Sequence, residues 1–301
     1  MRTRTGLISP LAAVLLLLGA CSDQTPVADD GPTRAADRGT ETPNEEETAT
    51  TEPTPTEDGG SETTVAVYYV ADTERAGPRL YREFQRGEGE ALAAGVVALT
   101  GTPLDGDYRT MWQGGQITNA SYDGEIINVV VDPAVRQRPG DMSAAEARAA
   151  VEQVVYTMQA AVQERAPVQF RTADNPIDQV FGVPTSEPLA NGPMLDVLSH
   201  INLTAPEQGT VVDDGTLEIS GVGNSFEANV GWEIRRGDDV VMDGFATMDG
   251  WMEPKLFPFE TTADVSDLDP GDYTFWVTTD DPTGGTEGIG AMTDDKDFTV
   301  R

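Results

Sequence analysis

His200 is the sole histidine of the 301 residues, and Ser199 precedes it directly. Serine hydrolysis needs an imidazole that converges on the hydroxyl in space, oriented by an acid, and adjacency along the chain does not provide that. The pair is therefore expected to be structural or solvent-facing. Gly221-Val222-Gly223 supplies the first two glycines of a dinucleotide loop, but no third glycine or helix follows, so a turn between strands is expected. Paired carboxylates can act as acid and base or cleave glycosides, yet among 52 Asp and Glu residues close pairs arise by chance. The acidic clusters at 264–269 and 293–297 offer hard oxygen ligands to calcium. Neither has the spacing of an EF-hand loop, and a solvated acidic face is expected at both. No catalytic residue, metal site or cofactor is predicted.

Two further places carry chemistry of another kind. Gly250 to Phe259 crowds Trp251, Met252, Phe257 and Phe259 into a stretch with two prolines. These residues most simply close a core, but Trp251, Phe257 and Phe259 are also the candidate binding surface, since aromatics and Met are enriched where partners dock. The other place is Cys21, the sole cysteine, which cannot form an internal disulfide or a thiolate zinc site. Arg2 and Arg4 open the chain, an apolar run from Leu7 to Ala20 follows, and Gly19-Ala20 stands directly before Cys21. At about 1.5 Å per residue that run is too short to cross ~30 Å of hydrocarbon as a helix. Residues 1–20 read as a signal peptide, and the junction resembles the lipobox of bacterial lipoproteins. The resemblance implies lipidation at Cys21, which becomes the new N-terminus and carries diacylglycerol, an anchor of two or three acyl chains such as palmitate.

The elements that hold these residues follow from composition and period. Residues 22–62 are mostly Thr, Glu, Pro, Asp, Gly and Ala, with Val27 the only larger aliphatic and 12 acids against Arg34 and Arg38, too little apolar surface to offset ordering. With Cys21 they form the segment 21–62, expected to be a disordered acidic stalk with ends roughly 35 Å apart. Its Thr-Pro density also suits O-linked sugar. In 63–188, Val65 to Val70 alternates as a strand, Asp72 to Pro78 supplies turn residues, and Leu92, Val96 and Leu99 take helical spacing within 88–100. Asp123-Gly124 joins two extended runs as a hairpin, and Ser143 with Glu146 forms a capping box ahead of a helix ending near Arg165. Pro167 to Arg171 makes a last strand. The order β-α-β-β-α-β predicts an α+β module with helices on one face of a small sheet.

This segment resembles the GerMN (sporulation and spore germination) domain. The likeness rests on Val65–Val70, Leu92–Leu99 before Gly101-Thr102-Pro103, and Tyr108-Arg109-Thr110-Met111-Trp112. It continues through the Asp123-Gly124 hairpin into Val129-Val130-Val131-Asp132, then Val154-Val155-Tyr156-Thr157-Met158 and the closing Phe181-Gly182. The helix end at 98–103 departs modestly from the Leu-Leu-Ala-Gly-Pro-like pattern of the family. The resemblance implies a module like the ring-building units of secretion machines, without a known catalytic role.

From 198 to 301 seven short runs alternate, at 201–204, 216–221, 228–235, 240–248, 256–261, 271–278 and 296–300, with Gly, Asp and Pro between them. That spacing predicts an all-β immunoglobulin-like sandwich, with Trp232 in its core and Tyr273 as a tyrosine corner. Ser225 to Trp232, Pro270-Gly271-Asp272-Tyr273 and Lys296 to Val300 resemble the bacterial spore germination immunoglobulin-like domain, whose members pair with GerMN domains in envelope lipoproteins.

Charge narrows the function. A formal −33, with only Lys255 and Lys296 as lysines, repels nucleic acid, so no nucleic-acid partner is predicted. The chain is expected to be a noncatalytic, lipid-anchored protein on the extracytoplasmic face of the cell membrane, assembling with another envelope protein. The alternative is a module binding peptidoglycan or another glycan, and a third reading is an unrecognised hydrolase. Residues 63–301 hold 40 acids against 15 bases, so binding to anionic wall polymers must overcome repulsion or recruit cations.

Overall fold

The computed structural model describes residues 62–284 and 286–301, which are mostly β-sheet with few helices. The signal peptide, Cys21 and the stalk up to residue 61 lie outside the described residues. Both halves expected from the sequence fall in one compact unit. Among the described residues no helix is long and apolar enough to cross a membrane.

The first half opens with β1 (Glu62–Thr73), paired antiparallel along its length with β2 (Gly77–Glu88). The sequence predicts a turn up to Pro78 and then a helix from Glu88, so β2 is an addition to the expected order. Its pattern is masked because both faces are covered. Tyr81 and Glu83 turn toward the first core, while Leu80 is buried on the other side against Leu198. A buried acid is tolerated there because Glu83 accepts the Leu104 amide at 2.7 Å. Next come α1 (Ala91–Leu99), β3 (Ile117–Tyr122), β4 (Ile127–Val131), α2 (Ala144–Val162) and β5 (Val168–Arg171). At Gly95, where α1 faces α2, an added Cβ would meet Met158, Thr157 and Ala161 at ordinary contact distances of 3.4–3.8 Å.

β3 and β4 form the hairpin at Asp123-Gly124, where Asp123 Oδ1 accepts the Glu125 and Ile126 amides at 2.9 and 2.8 Å. Ile127, Val129 and Val131 are buried on one face of β4. The capping box forms as well: Ser143 Oγ accepts the Glu146 amide, and Glu146 accepts the Ser143 amide. β5 lies parallel to β4, a pairing that needs a crossover, which α2 provides. Two short strands, β6 (Gln179–Val180) and β7 (Val183–Pro184), flank Phe181-Gly182. Phe181 packs 5.0 Å from the Trp112 ring, whose Nε1 donates to Ala150 of α2.

After α3 (Met194–Val197) the chain is all strand: β8 (Ile201–Ala205), β9 (Thr210–Val212), β10 (Thr216–Gly223), β11 (Asn229–Arg236), β12 (Asp239–Thr247), β13 (Phe257–Asp264), β14 (Gly271–Thr279) and β15 (Thr293–Val300). They form two sheets, β13-β10-β8 and β12-β11-β14-β15-β9, with Val230, Ile234, Phe275, Val277 and Phe298 buried between them. The seven expected strands are present, and β9 is an eighth that pairs parallel with β15. Trp232 lies in this core over Gly244, where a Cβ would approach the ring to 2.3 Å. Tyr273 closes its corner with a 2.7 Å bond to the Asp269 carbonyl.

Candidate functional site

The most concentrated polar chemistry lies where the first half meets the sandwich. β15 alternates, so Asp294, Lys296, Phe298 and Val300 point inward, and the first two fall at the end of the sheet facing the loop after α1. That loop brings Asp105 and Tyr108. Lys296, only 4% exposed, donates to Asp105 Oδ2 at 2.6 Å, Tyr108 Oη at 2.6 Å and Asp294 Oδ1 at 3.1 Å. It also donates to the Asp295 carbonyl at 2.8 Å. Tyr108 donates to Asp294 Oδ1 at 2.5 Å, and the Leu203 amide of β8 donates to Asp294 Oδ2 at 2.6 Å. Asp105 Oδ1 accepts the Asp107 amide at 2.9 Å. Tyr81 of β2 lies 5.2 Å from the Tyr108 ring and donates to the Thr293 carbonyl.

The electrostatics follow from burial. Desolvation pushes Asp294 up, with Lys296 pulling the other way. Burial works against the Lys296 ammonium, but Asp294 and Asp105 outweigh it and hold the group above its ordinary value. Tyr108 is raised by burial and by the same two acids. Asp295, half-buried beside them, rises from 3.8 to about 7 through burial and the nearby charges of Asp107, Asp294 and Asp105. The solvated acidic face expected at 293–297 is thus corrected: two of its charged residues are core groups, drawn in because Asp105 and Tyr108 satisfy them. Nothing local announces this, since Asp105 and Lys296 are 191 residues apart.

A groove on the same junction is lined by Tyr68, Arg82, Arg165, Asn202 and Leu256, with a volume of about 150 Å³. Arg82 donates to Thr204 Oγ1 and stacks on Phe84, and Arg165 lies over the Tyr156 ring. These arginines, unnoticed in the sequence because they come from separate elements, put two cations into one hollow of an acidic protein.

The residues singled out in the sequence are dispersed. His200 Nε2 lies 2.8 Å from the Leu195 carbonyl, while Ser199 Oγ contacts Met292 Sδ, so the two do not pair. Gly221 and Gly223 belong to β10 and not to a turn; a Cβ on Gly221 would meet Phe259 and the Asn202 carbonyl at 2.5 Å. Phe257 and Phe259 are buried in the sandwich core, which removes both rings from any solvent-facing surface. Trp251 is half-buried, edge-on to Phe226 at 5.2 Å, and Met252 beside it is 82% exposed. Among the described residues no group of three or more His, Cys, Asp or Glu side chains could hold a metal ion.

β12 ends the five-stranded sheet, and no strand pairs with its outer edge among the described residues. It exposes Val240, Val241 and Phe245, the last by 69%. Phe245 stands opposite Gly231 in the β11 register, so no side chain there covers its ring.

Residues 200–286 match the family model described as the immunoglobulin-like domain of bacterial spore germination, and this part of the chain is an immunoglobulin-like domain. No curated protein matches the chain. Among solved structures, the crystal structure of an engineered protein aligns at 12% identity over 58% of this chain, with a TM-score of 0.28. The aligned part spans about 40% of that protein's length.

Proposed function

We propose that the chain is a noncatalytic envelope lipoprotein, anchored in the membrane by lipid on Cys21, that assembles with another envelope protein. Its acidic Thr- and Pro-rich segment serves as the spacer between that anchor and residues 63–301. In this reading the first half is a GerMN-like module, with α1 and α2 on one side of its small sheets, and the process served is related to germination or to the envelope. The observation that carries it is the β12 edge: open backbone donors and acceptors beside exposed Val240, Val241 and Phe245 suit addition of a partner strand.

The test is a crosslinking pull-down of the intact lipoprotein from its own envelope, beside Phe245→Asp. A reproducible envelope protein, captured by the wild type and lost from the folded variant, is the expected result. Capture unaffected by Phe245→Asp, or turnover of a wall substrate by the purified protein, would sink the proposal.

The groove supports a second reading, recognition of peptidoglycan. Arg82 and Arg165 offer charge-assisted bonds to carboxylates such as those of stem peptides, beside the faces of Tyr68 and Tyr156. Co-sedimentation with purified cell wall that survives salt, and falls in Arg82→Gln, would favour this reading over the first.

A further inference from the structure

Lys296, Asp105 and Asp294 are enclosed together, a single amine held between two carboxyl groups. The amine and the Asp105 carboxyl come from opposite halves of the molecule, touch at 2.6 Å and are almost fully shielded, at 4% and 5% side-chain exposure. Asp294, at 2%, stands 3.1 Å from the same nitrogen. We propose that Lys296 Nζ and Asp105 Cγ condense into an amide cross-link that joins the first half of the chain covalently to β15, with Asp294 carrying the protons.

The step balances without any outside reactant. The Nζ–Cγ bond forms, the Asp105 Cγ–Oδ2 bond breaks, and the two protons lost by the ammonium leave with Oδ2 as one water. Asp294 Oδ1 takes the first proton from Nζ and passes it to Asp105 Oδ2, which frees the lone pair and leaves Asp105 a neutral acid open to attack. After attack it takes the second proton from the nitrogen, delivers it to Oδ2 and ends as it began. Tyr108 Oη, 2.6 Å from Nζ and 2.5 Å from Asp294 Oδ1, bridges the donor and the carrier. In the tetrahedral intermediate the negative charge falls on Asp105 Oδ1, where the Asp107 amide already donates at 2.9 Å.

Four features favour the reaction here. Burial raises the proton affinity of the Asp294 carboxylate, which suits it to take a proton from the neighbouring ammonium. Holding Nζ 2.6 Å from Asp105 Oδ2 makes the condensation intramolecular, and well-aligned intramolecular pairs reach effective molarities of up to about 10⁵–10⁸ M, which counters the opposition of water. The product also replaces a buried ion pair, with its desolvation cost, by a neutral amide. The Tyr81 and Tyr108 rings close over the site and keep bulk water from the intermediate.

The test is peptide mapping of the full chain purified without reductant or crosslinker. A peptide pair joining the segments around Asp105 and Lys296, lighter by one water than their sum and resistant to trypsin at Lys296, is expected. Recovery of both residues in unlinked peptides of unaltered mass would overturn the proposal outright. Because that readout uses the wild-type protein, it does not depend on any variant folding. Asp294→Asn, checked as folded by circular dichroism, keeps both reacting groups and should form the link about a hundredfold more slowly. Linkage at the wild-type rate would overturn the role given to Asp294.

Discussion

Single side chains decide more here than their exposure suggests. An added Cβ at Gly244 would come within 2.3 Å of the Trp232 ring, so Gly244→Ala forces the ring or β12 to move and should cost about 1–3 kcal/mol in denaturant unfolding. Asp295 is a residue with a pH signature. Its folded-state value is raised from 3.8 to about 7, so the folded protein holds a proton that the unfolded chain releases. The stabilisation is complete below about 3.8 and is lost as pH rises through 7. Unfolding followed across that window should show the decline, and Asp295→Asn should flatten it; an unchanged slope would remove Asp295 as its source. None of this is legible in the sequence. The run Asp294-Asp295-Lys296-Asp297 reads as solvated charge, and only its partners Asp105, Tyr108 and Leu203 give it another meaning.

The elements are legible where their signals are local. Ser143 and Glu146 mark the start of α2 because the cap is a property of four consecutive residues, and Ser143→Ala should cost about 1 kcal/mol by thermal unfolding. Asp123-Gly124 marks its hairpin for the same reason. β2 is hidden because its inward residues include Glu83, while its other face is covered by residues distant in sequence. Arg82 donates its amide to Asn202 Oδ1, and the Leu80 carbonyl accepts the amide of Ser199. Such a strand takes its pattern from tertiary neighbours and not from water on one side. β9 is three residues long, too short for alternation to show.

For the molecule as a whole, the sequence patterns lead one to expect two folded parts, whereas residues 62–301 fall in one compact unit. Residues that cross the junction, among them Tyr81, Arg82, Asp105 and Tyr108, look ordinary where they stand in the chain. Lys296→Met removes both the cation between the two buried carboxyls and the proposed cross-link, and should cost at least about 3 kcal/mol of global stability. Differential scanning calorimetry should show a single transition at lower temperature, since the halves share one compact unit.

The burial of Lys296 also governs what reagents can see. Lys255 is the only other lysine in the sequence, and it is about half exposed beside Phe257. Apart from the chain's amino terminus, amine-directed labels and linkers will therefore report from the Lys255 corner and stay blind to β12. A partner lying along that edge has to be sought with chemistry aimed at carboxylates, such as the neighbouring Asp239 and Asp243, or with a photoreactive group built into the strand.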